Sequence, residues 1–236
     1  GTSGNVSIKV FVNSTAVPGA VSNSATLSYS DGATIPVVQT GASNTTQFTV
    51  LQTGSVVANN SAAAATNAAA DNTVTVASAG QGTTVTFTDY VWNTGNGTDT
   101  FDLTLTGSTF PAGTTFQLFK LDGTPLVNTG GTGAVDTGPL APGATGYPVL
   151  VKATLPAGAT GGPFSVTLNA TSVFDPAKTD PVVDTLTAIT ANVVDLTNNK
   201  SLAGGAVAAD GAGLNTTATI VANATLVLPG VFSDYN

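Results

Sequence analysis

The residues that could carry out chemistry in this 236-residue chain are few and of few kinds. All 13 acidic residues are Asp, all 5 basic residues are Lys, and the sequence contains no Arg, Glu, His, Cys or Met. Without His the chain lacks the commonest general base near neutral pH. Without Cys it lacks thiolate nucleophiles, disulfides and Cys/His zinc sites. This composition predicts a protein that is not an enzyme and that uses no cofactor.

One cluster of carboxylates still has a spacing that could support chemistry. Asp175, Asp180 and Asp184 lie close together around Pro176 and Pro181. Paired carboxylates can hydrolyse glycosidic bonds or hold a cation. Aspartates beside prolines also form turns, and we favour this structural interpretation. We therefore predict no catalytic and no metal site.

The sole tryptophan offers a second candidate site. Trp92 and Tyr90 could form an aromatic platform for a sugar, with Tyr147 and Tyr235 as further candidates for an exposed aromatic strip. A tryptophan at this place in a β-sandwich more commonly lies in the core, and we favour that position for Trp92.

Sequons of the form Asn-x-Ser/Thr are candidate acceptors for surface N-glycans. They lie at Asn5, Asn13, Asn44, Asn59, Asn96, Asn169, Asn199, Asn215 and Asn223.

The elements that must position these residues are predicted to be strands. The chain has 42 Thr and 27 Gly, and 42% of its residues are hydrophobic. Thr and Val fit a pleated, half-buried surface, whereas Gly, Asn, Asp and Pro form turns. With only 5 basic residues we expect no nucleic-acid partner. No run of 18 apolar residues occurs, so we expect no membrane span.

Residues 73–196 show the spacing of strands and turns that is typical of a complete β domain. Apolar and polar residues alternate, for example at Phe164, Val166 and Leu168, as in a half-buried antiparallel sheet. We predict an all-β, immunoglobulin-like antiparallel β-sandwich with strands at residues 73–77, 83–92, 98–106, 115–120, 147–154, 164–173 and 182–194.

The remaining segments are less complete. Residues 1–58 predict an incomplete β-sandwich segment of about four strands, with a weaker strand at Val56 and Val57. Residues 59–72 are Ala-rich and predict a linker or a short helix. Residues 197–236 predict a Gly-rich tail with a terminal apolar strand from Ala218 to Leu228.

The string TTVTFTDYVWNTGNGTDTFDLTL at residues 83–105 resembles the opening strands of immunoglobulin-like conserved-repeat domains of prokaryotic cell-surface proteins (surface-layer, adhesin or appendage type). The similarity continues through FPAGTTFQLFK and DTGPLAPGATGYP to residue 172, and SNSATLSYSDG resembles the closing strands of another copy. The matching residues in the first string are Asn93, Gly95, Asn96, Asp99, Thr100 and Phe101. The resemblance implies an extracellular location and no common catalytic residues.

The sequence departs from these domains in one loop. They often carry an Asp/Asn-rich, calcium-loop-like string before D-T-G-P-L, but residues 128–140 keep only Asp136. Because a calcium site needs six to eight oxygen ligands, several of them carboxylates, we predict none here.

An incomplete sandwich leaves apolar faces and backbone groups unpaired, which is costly. The tail could fold back and complete the first domain within the same chain. Alternatively, a strand of the first segment or of the tail could complete the sheet of a neighbouring copy. The second arrangement generates filaments or lattices. The apolar residues that could enter such a joint are Val6, Ile8, Val10 and Val12 near the start and Ile220, Leu226 and Leu228 in the tail.

We therefore predict a secreted structural subunit of a prokaryotic cell surface, such as an S-layer or pilus protein, that self-assembles with copies of itself through a donor strand. The alternative is a non-catalytic adhesin or carbohydrate-binding module of a larger surface protein, with a cell-surface glycan as partner. Since the chain starts at Gly1 without Met, we expect either a removed signal peptide or a trimmed fragment.

Overall fold

The structure is a computed structural model that describes residues 7, 9–30, 32, 34 and 37–190, together with the backbone of residues 193–197 and 231–235. Every regular element in these ranges is a strand. The strands are β1 (Gly19–Asn23), β2 (Thr26–Ser30), β3 (Val38–Ala42), β4 (Thr46–Val50), β5 (Val56–Asn59), β6 (Thr73–Gly80), β7 (Thr84–Asn93), β8 (Asp99–Thr106), β9 (Thr115–Phe119), β10 (Val135–Leu140), β11 (Tyr147–Thr154), β12 (Phe164–Ser172), β13 (Thr179–Thr190), β14 (Val193–Thr197) and β15 (Val231–Tyr235).

Nine of these strands form the predicted immunoglobulin-like β-sandwich. One sheet has the order β5-β7-β11-β9 and the other has the order β10-β8-β12-β13-β6. All neighbours are antiparallel except β13 and β6, which are parallel. The all-β fold class is therefore confirmed. In the described residues no helix is long and apolar enough to cross a membrane.

The core lies between the two sheets and follows from the alternation of side chains along each strand. In β7 the inward positions include Phe87 and Val91, which are fully buried, and the facing sheet contributes Leu168 and Leu186. Phe110 closes one side, with its ring centroid 6.3 Å from that of Phe87 in an edge-to-face contact. Burial of these apolar surfaces is the main force that holds the sheets together.

All seven strands predicted between residues 73 and 196 are present, but the last one stops earlier than predicted. β13 ends at Thr190, and β14 starts a separate element at Val193. The prediction also missed β10, because Gly138 and Pro139 in its middle read as turn residues and the pairing with β8 shifts register between Asp136 and Pro139.

The predicted boundary of the sandwich needs a correction at its start. β5 pairs with the end of β7, from Val56 opposite Asn93 to Asn59 opposite Tyr90, and all four of its residues are buried. Residues 56–58, which were predicted to belong to the first segment, are therefore part of the sandwich.

The helix alternative for residues 59–72 is wrong. This segment consists of bends and turns, because two asparagine side chains take the backbone carbonyls that a helix would use. The Asn59 amide donates to the carbonyl oxygens of Ala64 and Thr66, at 2.9 and 2.8 Å. The Asn60 amide donates to those of Ala70 and Thr73, at 3.3 and 2.9 Å.

Residues 19–30 and 37–50 form an antiparallel ribbon, here called the N-terminal arm, and not a layer of a sandwich. β1 pairs with β4 and β2 pairs with β3. Between these two pairs the ribbon continues, since the Ser43 amide donates to the Ala25 carbonyl oxygen at 2.8 Å and the Ala25 amide donates to Ser43 Oγ at 2.8 Å. Every residue of β1, β2 and β3 is exposed.

A second ribbon follows the sandwich. β14 and β15 pair antiparallel, from Val193 opposite Tyr235 to Thr197 opposite Val231. The strand predicted from Ala218 to Leu228, with Ile220, Leu226 and Leu228, lies outside the described residues.

The joint candidates near the start of the chain do not form a strand where the structure describes them. Val6 and Ile8 lie outside the described residues, whereas Val10 and Val12 lie in irregular chain and are 56% and 47% exposed.

Trp92 is buried, as predicted, but on the face of β7 opposite to Phe87 and Val91, outside the cluster between the sheets, and its position requires glycine at residue 146. A Cβ at Gly146 would lie 2.7 Å from two carbons of the Trp92 ring. We expect Gly146→Ala to lower the free energy of unfolding by about 1–3 kcal/mol through overpacking, measured by denaturant titration of Trp92 fluorescence. Gly41→Ala is the matched control, because nothing lies within 4 Å of a Cβ there. Equal stability of the two variants would contradict the packing role of Gly146.

Candidate functional site

The predicted cluster of Asp175, Asp180 and Asp184 does not form one site. Asp175 holds a turn, since its Oδ1 accepts a hydrogen bond from the Ala177 amide at 3.2 Å. Asp180 is buried and links two elements, because its carboxylate accepts from the Ala58 amide at 2.8 Å and from Asn67 Nδ2 at 2.9 Å. Asp184 is fully buried in the core. Within the described ranges no group of three or more acidic residues could hold a metal ion.

The most unusual polar feature is a pair of aspartates inside the sandwich. Asp89 of β7 and Asp184 of β13 are both 0% exposed, and they interact across the core. Their strand neighbours are apolar: Val149 pairs with Asp89 and Val166 pairs with Asp184. Apart from the other acid of the pair, no donor group in the described part of the chain hydrogen-bonds to any of the four carboxylate oxygens. The two acids therefore have only each other as polar partners.

Protonation allows this pair to exist in the core. Burial raises the pKa of Asp89 from 3.8 to about 7, and a hydrogen bond from Asp184 partly opposes this rise. Burial, together with the charge of Asp89, raises the pKa of Asp184 to about 9. A shared proton lets one acid donate to the other, and the two titrate as a unit. Because both side chains are fully enclosed, no substrate reaches them in this fold.

The pair was missed in the sequence, although a signal exists. Asp89 lies between Phe87 and Val91, and Asp184 lies between Val182 and Leu186, each at a position where the alternation requires an inward side chain. The signal is an aspartate at a strand position where the alternation calls for an apolar residue. Only the packing of the two sheets shows that the two aspartates meet.

Asp136 is a buried acid whose carboxylate has several hydrogen-bond donors. It accepts from the amides of Thr129, Gly130 and Gly138, at 2.6, 2.7 and 2.7 Å, and from the Thr129 hydroxyl at 2.5 Å. Burial alone would raise the pKa of Asp136, but these hydrogen bonds outweigh it and lower the pKa below the ordinary value of 3.8. The protein itself thus supplies the donors that close the loop of residues 128–140.

The glycosylation candidates differ in their surroundings, and two of them must be corrected. Asn59 and Asn96 are buried, and each Nδ2 already donates two hydrogen bonds to backbone carbonyls, so the folded chain leaves no room for a sugar. Asn13 and Asn44 are exposed, whereas Asn169 is half-buried and donates to Thr106 Oγ1 at 2.9 Å. The candidates outside the described residues are Asn5, Asn199, Asn215 and Asn223.

The N-terminal arm carries an uncovered apolar pattern. In residues 19–30 the odd positions include Val21, Leu27 and Tyr29, whereas the even positions from residue 22 onward are Ser or Thr. Val21 lies opposite Phe48 in the register of β1 and β4. Leu27 is 62% exposed and Tyr29 is 53% exposed. This alternation is typical of a strand with one buried face, yet nothing in the described part of the chain covers it.

The arm is fixed to the sandwich by the loop between β7 and β8. The Asn96 side chain accepts from the Thr53 amide at 2.7 Å and donates to the carbonyl oxygens of Ala16 and Leu51, both at 3.0 Å. A Cβ at Gly95 would lie 2.5 Å from the Thr53 carbonyl oxygen. The Asn-Thr-Gly-Asn-Gly string at residues 93–97 therefore holds the base of the arm.

The two ribbons leave the sandwich from opposite ends. The N-terminal arm is held beside Asn93, where β7 ends. The second ribbon follows Thr190, whose carbonyl oxygen accepts from the Gln81 amide at 3.0 Å in the turn that precedes β7. β7 has 10 residues, so the two attachment points are separated by about 30 Å along the strand direction.

No protein-family model and no curated protein matches this sequence. Solved structures that are similar to it include the N-terminal domain of PorA, at 17% identity over 56% of this chain and 96% of that chain, with a TM-score of 0.37. Another is a family 123 glycoside hydrolase from Clostridium perfringens, at 12% identity over 54% of this chain and 25% of that chain, with a TM-score of 0.37. At this level of similarity neither name carries over to this chain.

The buried acid pair predicts a pH dependence of stability. Because both pKa values lie above 3.8 in the folded state, the folded chain keeps protons that the unfolded chain releases. The contribution of the pair to stability is therefore complete below pH 4 and is lost as the pH rises through about 7 and then about 9. Each proton retained makes the free energy of unfolding fall by about 1.4 kcal/mol per pH unit.

Asp184→Asn removes one titrating group and keeps the shape of the side chain, so we expect a shallower decline between about pH 5 and pH 9. The measurement is a series of guanidinium unfolding curves across that range. Asp122→Asn, in an exposed turn, is the control and should leave the slope unchanged. If the wild-type chain shows no decline, the pair does not titrate as described.

The base of the arm gives a local prediction. Asn96→Ala removes three hydrogen bonds, so we expect the Thr53 amide to exchange with solvent about 10- to 100-fold faster, which corresponds to about 1–3 kcal/mol. Hydrogen exchange followed by NMR measures this directly. The control is Asn44→Ala at an exposed position of the arm. Unchanged protection of Thr53 would show that Asn96 does not hold the arm.

Proposed function

We propose that this protein is an extracellular structural subunit of a prokaryotic cell surface, which self-assembles into a filament or lattice by β-strand complementation between copies. The observation that carries the proposal is the N-terminal arm. Its strand β2 alternates between hydroxyl and apolar side chains, as a covered strand does, but all five of its residues are exposed.

Energetics favour a partner for the arm. An isolated two-stranded ribbon is at best marginally stable in water. A strand that joins another sheet gains hydrogen bonds of about 0.5–1.5 kcal/mol each. Burial of a side chain such as Leu27 or Tyr29 adds roughly 1.5–3 kcal/mol. A joint of this kind is strong without any covalent bond, which suits a chain without Cys.

The placement of the two ribbons supports a linear assembly. Since they leave opposite ends of the sandwich, a contact between one end of a copy and the other end of the next does not close on itself. Head-to-tail contacts generate open polymers where the rotation between copies does not close them into a ring.

The composition supports a non-catalytic role at the cell surface. Only 8% of the residues are charged, against roughly 25% in an average soluble domain. The exposed strands of the arm present Thr and Ser hydroxyls in place of charges. Such a surface brings little like-charge repulsion to contacts between copies.

A second candidate function is carbohydrate binding by an adhesin module. A shallow concavity is lined by Lys120, Leu121, Asp122, Tyr147 and Pro148, and Leu121 is 67% exposed. An aromatic ring beside acidic and basic side chains can stack on a sugar and bind its hydroxyls. Trp92 does not contribute to this surface, since it is buried. A glycan array with a Tyr147→Ala control tests this alternative.

Assembly of the full chain can be tested by electron microscopy and sedimentation velocity over a range of concentrations. We expect filaments or lattices, and we expect the double change Leu27→Ser and Tyr29→Ser to raise the concentration needed for assembly at least about tenfold. The control changes Thr26→Ala and Ser28→Ala on the other face of β2 should have a much smaller effect. Monodisperse monomers at every concentration would overturn the proposal.

A further inference from the structure

The sandwich has four edge strands, and three of them are protected against pairing with another chain. β10 contains Pro139 and a register shift. β9 is covered by the chain that follows it, because the Leu126 amide donates to the Leu118 carbonyl oxygen at 2.9 Å and the Lys120 amide donates to that of Thr124 at 2.8 Å. β5 has four residues, all buried. Short strands, prolines, bulges and covering segments are the usual devices that block an edge.

β6 has none of these devices. It contains no proline and no charged residue, and its offset from β13 stays constant from Thr73 opposite Val183 to Gly80 opposite Thr190. The Val183 amide donates to the Asn72 carbonyl oxygen at 2.9 Å. In a parallel ladder this bond directs the backbone groups of residues 74 and 76 toward β13 and those of Thr73 and Thr75 away from it.

The outer backbone groups at the start of β6 therefore form an open template. The Thr73 carbonyl oxygen accepts from Asn60 Nδ2, which marks one end. The amide and carbonyl of Thr75 have no partner in the described part of the chain. Val74 and Val76, on either side of Thr75, are half-buried and pack against the core. A strand added to this edge would bury them further.

The pattern of β6 matches that of β2 in the N-terminal arm. On β6, Val74 and Val76 face the core, whereas Thr73 and Thr75 face solvent. On β2, Leu27 and Tyr29 share one face and the hydroxyl residues share the other. If β2 lies beside β6 with these faces aligned, apolar side chains meet over the core and hydroxyls meet outside. Neither strand carries a charge, so no charged group must be desolvated.

We infer that β6 is the edge that receives β2 from the N-terminal arm of a second copy, which extends the five-stranded sheet by the strands of that arm. The inference rests on the proposed assembly and adds to it the surface where the copies join. The donor is a second copy because in the chain's own arm Leu27 and Tyr29 remain more than half exposed.

A substitution at Thr75 tests the edge. Thr75→Pro removes an amide that points away from β13, so it should leave the sandwich intact while it blocks pairing. We expect at least about a tenfold rise in the concentration needed for assembly. Thr75→Val keeps the amide and is the matched control, and the denaturant midpoint of Trp92 fluorescence checks folding. If the proline variant fails to fold, Thr75→Lys takes its place. It leaves the backbone unchanged and puts a charge on the edge, so it should also raise the concentration needed for assembly.

Cysteine cross-linking locates the contact directly, because the chain has no native Cys. A Ser28→Cys copy mixed with a Thr75→Cys copy should form an intermolecular disulfide on oxidation. Ser28→Cys mixed with Thr115→Cys, at the exposed start of the covered edge β9, is the control and should not cross-link above background.

The outcomes separate the two proposals. If the wild-type chain assembles but the Thr75 variants assemble equally well and cross-linking at Thr75 is no better than at Thr115, β6 is not the joint, while the proposed function stands. If the wild-type chain never assembles, both proposals fail. Loss of assembly in Thr75→Pro or Thr75→Lys together with selective cross-linking at Thr75 would establish the joint.

Discussion

Backbone amides and carbonyls on a strand need partners, and apolar side chains on one of its faces need cover. Within the sandwich these needs are met except at the open edge strand β6: Asp180 satisfies the Ala58 amide, and the other three sheet edges are shortened, bulged or covered. In the N-terminal arm they are not met, because every residue of β1–β3 is exposed although β2 has the alternation of a covered strand. The unmet needs of β2 in the arm and of β6 in the sandwich underlie both proposals.

The polar groups inside the sandwich show two solutions to the burial of a carboxylate. Asp136 stays ionised more readily than a free aspartate, because amides and a hydroxyl surround it. Asp89 and Asp184 lack such donors, so they keep protons instead. The first solution works at any pH above the lowered pKa. The second works best in acid, and so it ties the stability of the central body to the acidity of its surroundings.

The sequence predicted the fold well where local patterns determine structure. The strands from Thr84–Asn93 to Phe164–Ser172 follow from alternation and turn residues, except β10, whose Gly138 and Pro139 resemble a turn. Val56 and Val57 were predicted as a weak strand of the first segment but could not be assigned to the sandwich, because their partner in β7 lies far along the chain. The asparagine side chains that replace a helix at residues 59–72, and the meeting of Asp89 with Asp184, likewise depend on long-range packing. The alternation in β2 predicts a strand with one buried face. No local pattern in the sequence shows that Leu27 and Tyr29 stay exposed in the folded chain.

The attachment points of the two ribbons determine how this subunit would carry a mechanical load. Tension that enters at the start of β5 and leaves at the end of β13 acts along the strands, not across them. Ladder hydrogen bonds loaded in this direction share the force and must rupture together, whereas a hairpin pulled open at one end loses them one at a time. The link from the Ala58 amide to Asp180 lies between these two strands, so it joins the two sheets near the point where the pull begins. A sandwich pulled through its two ribbons would therefore be stiff along its strands.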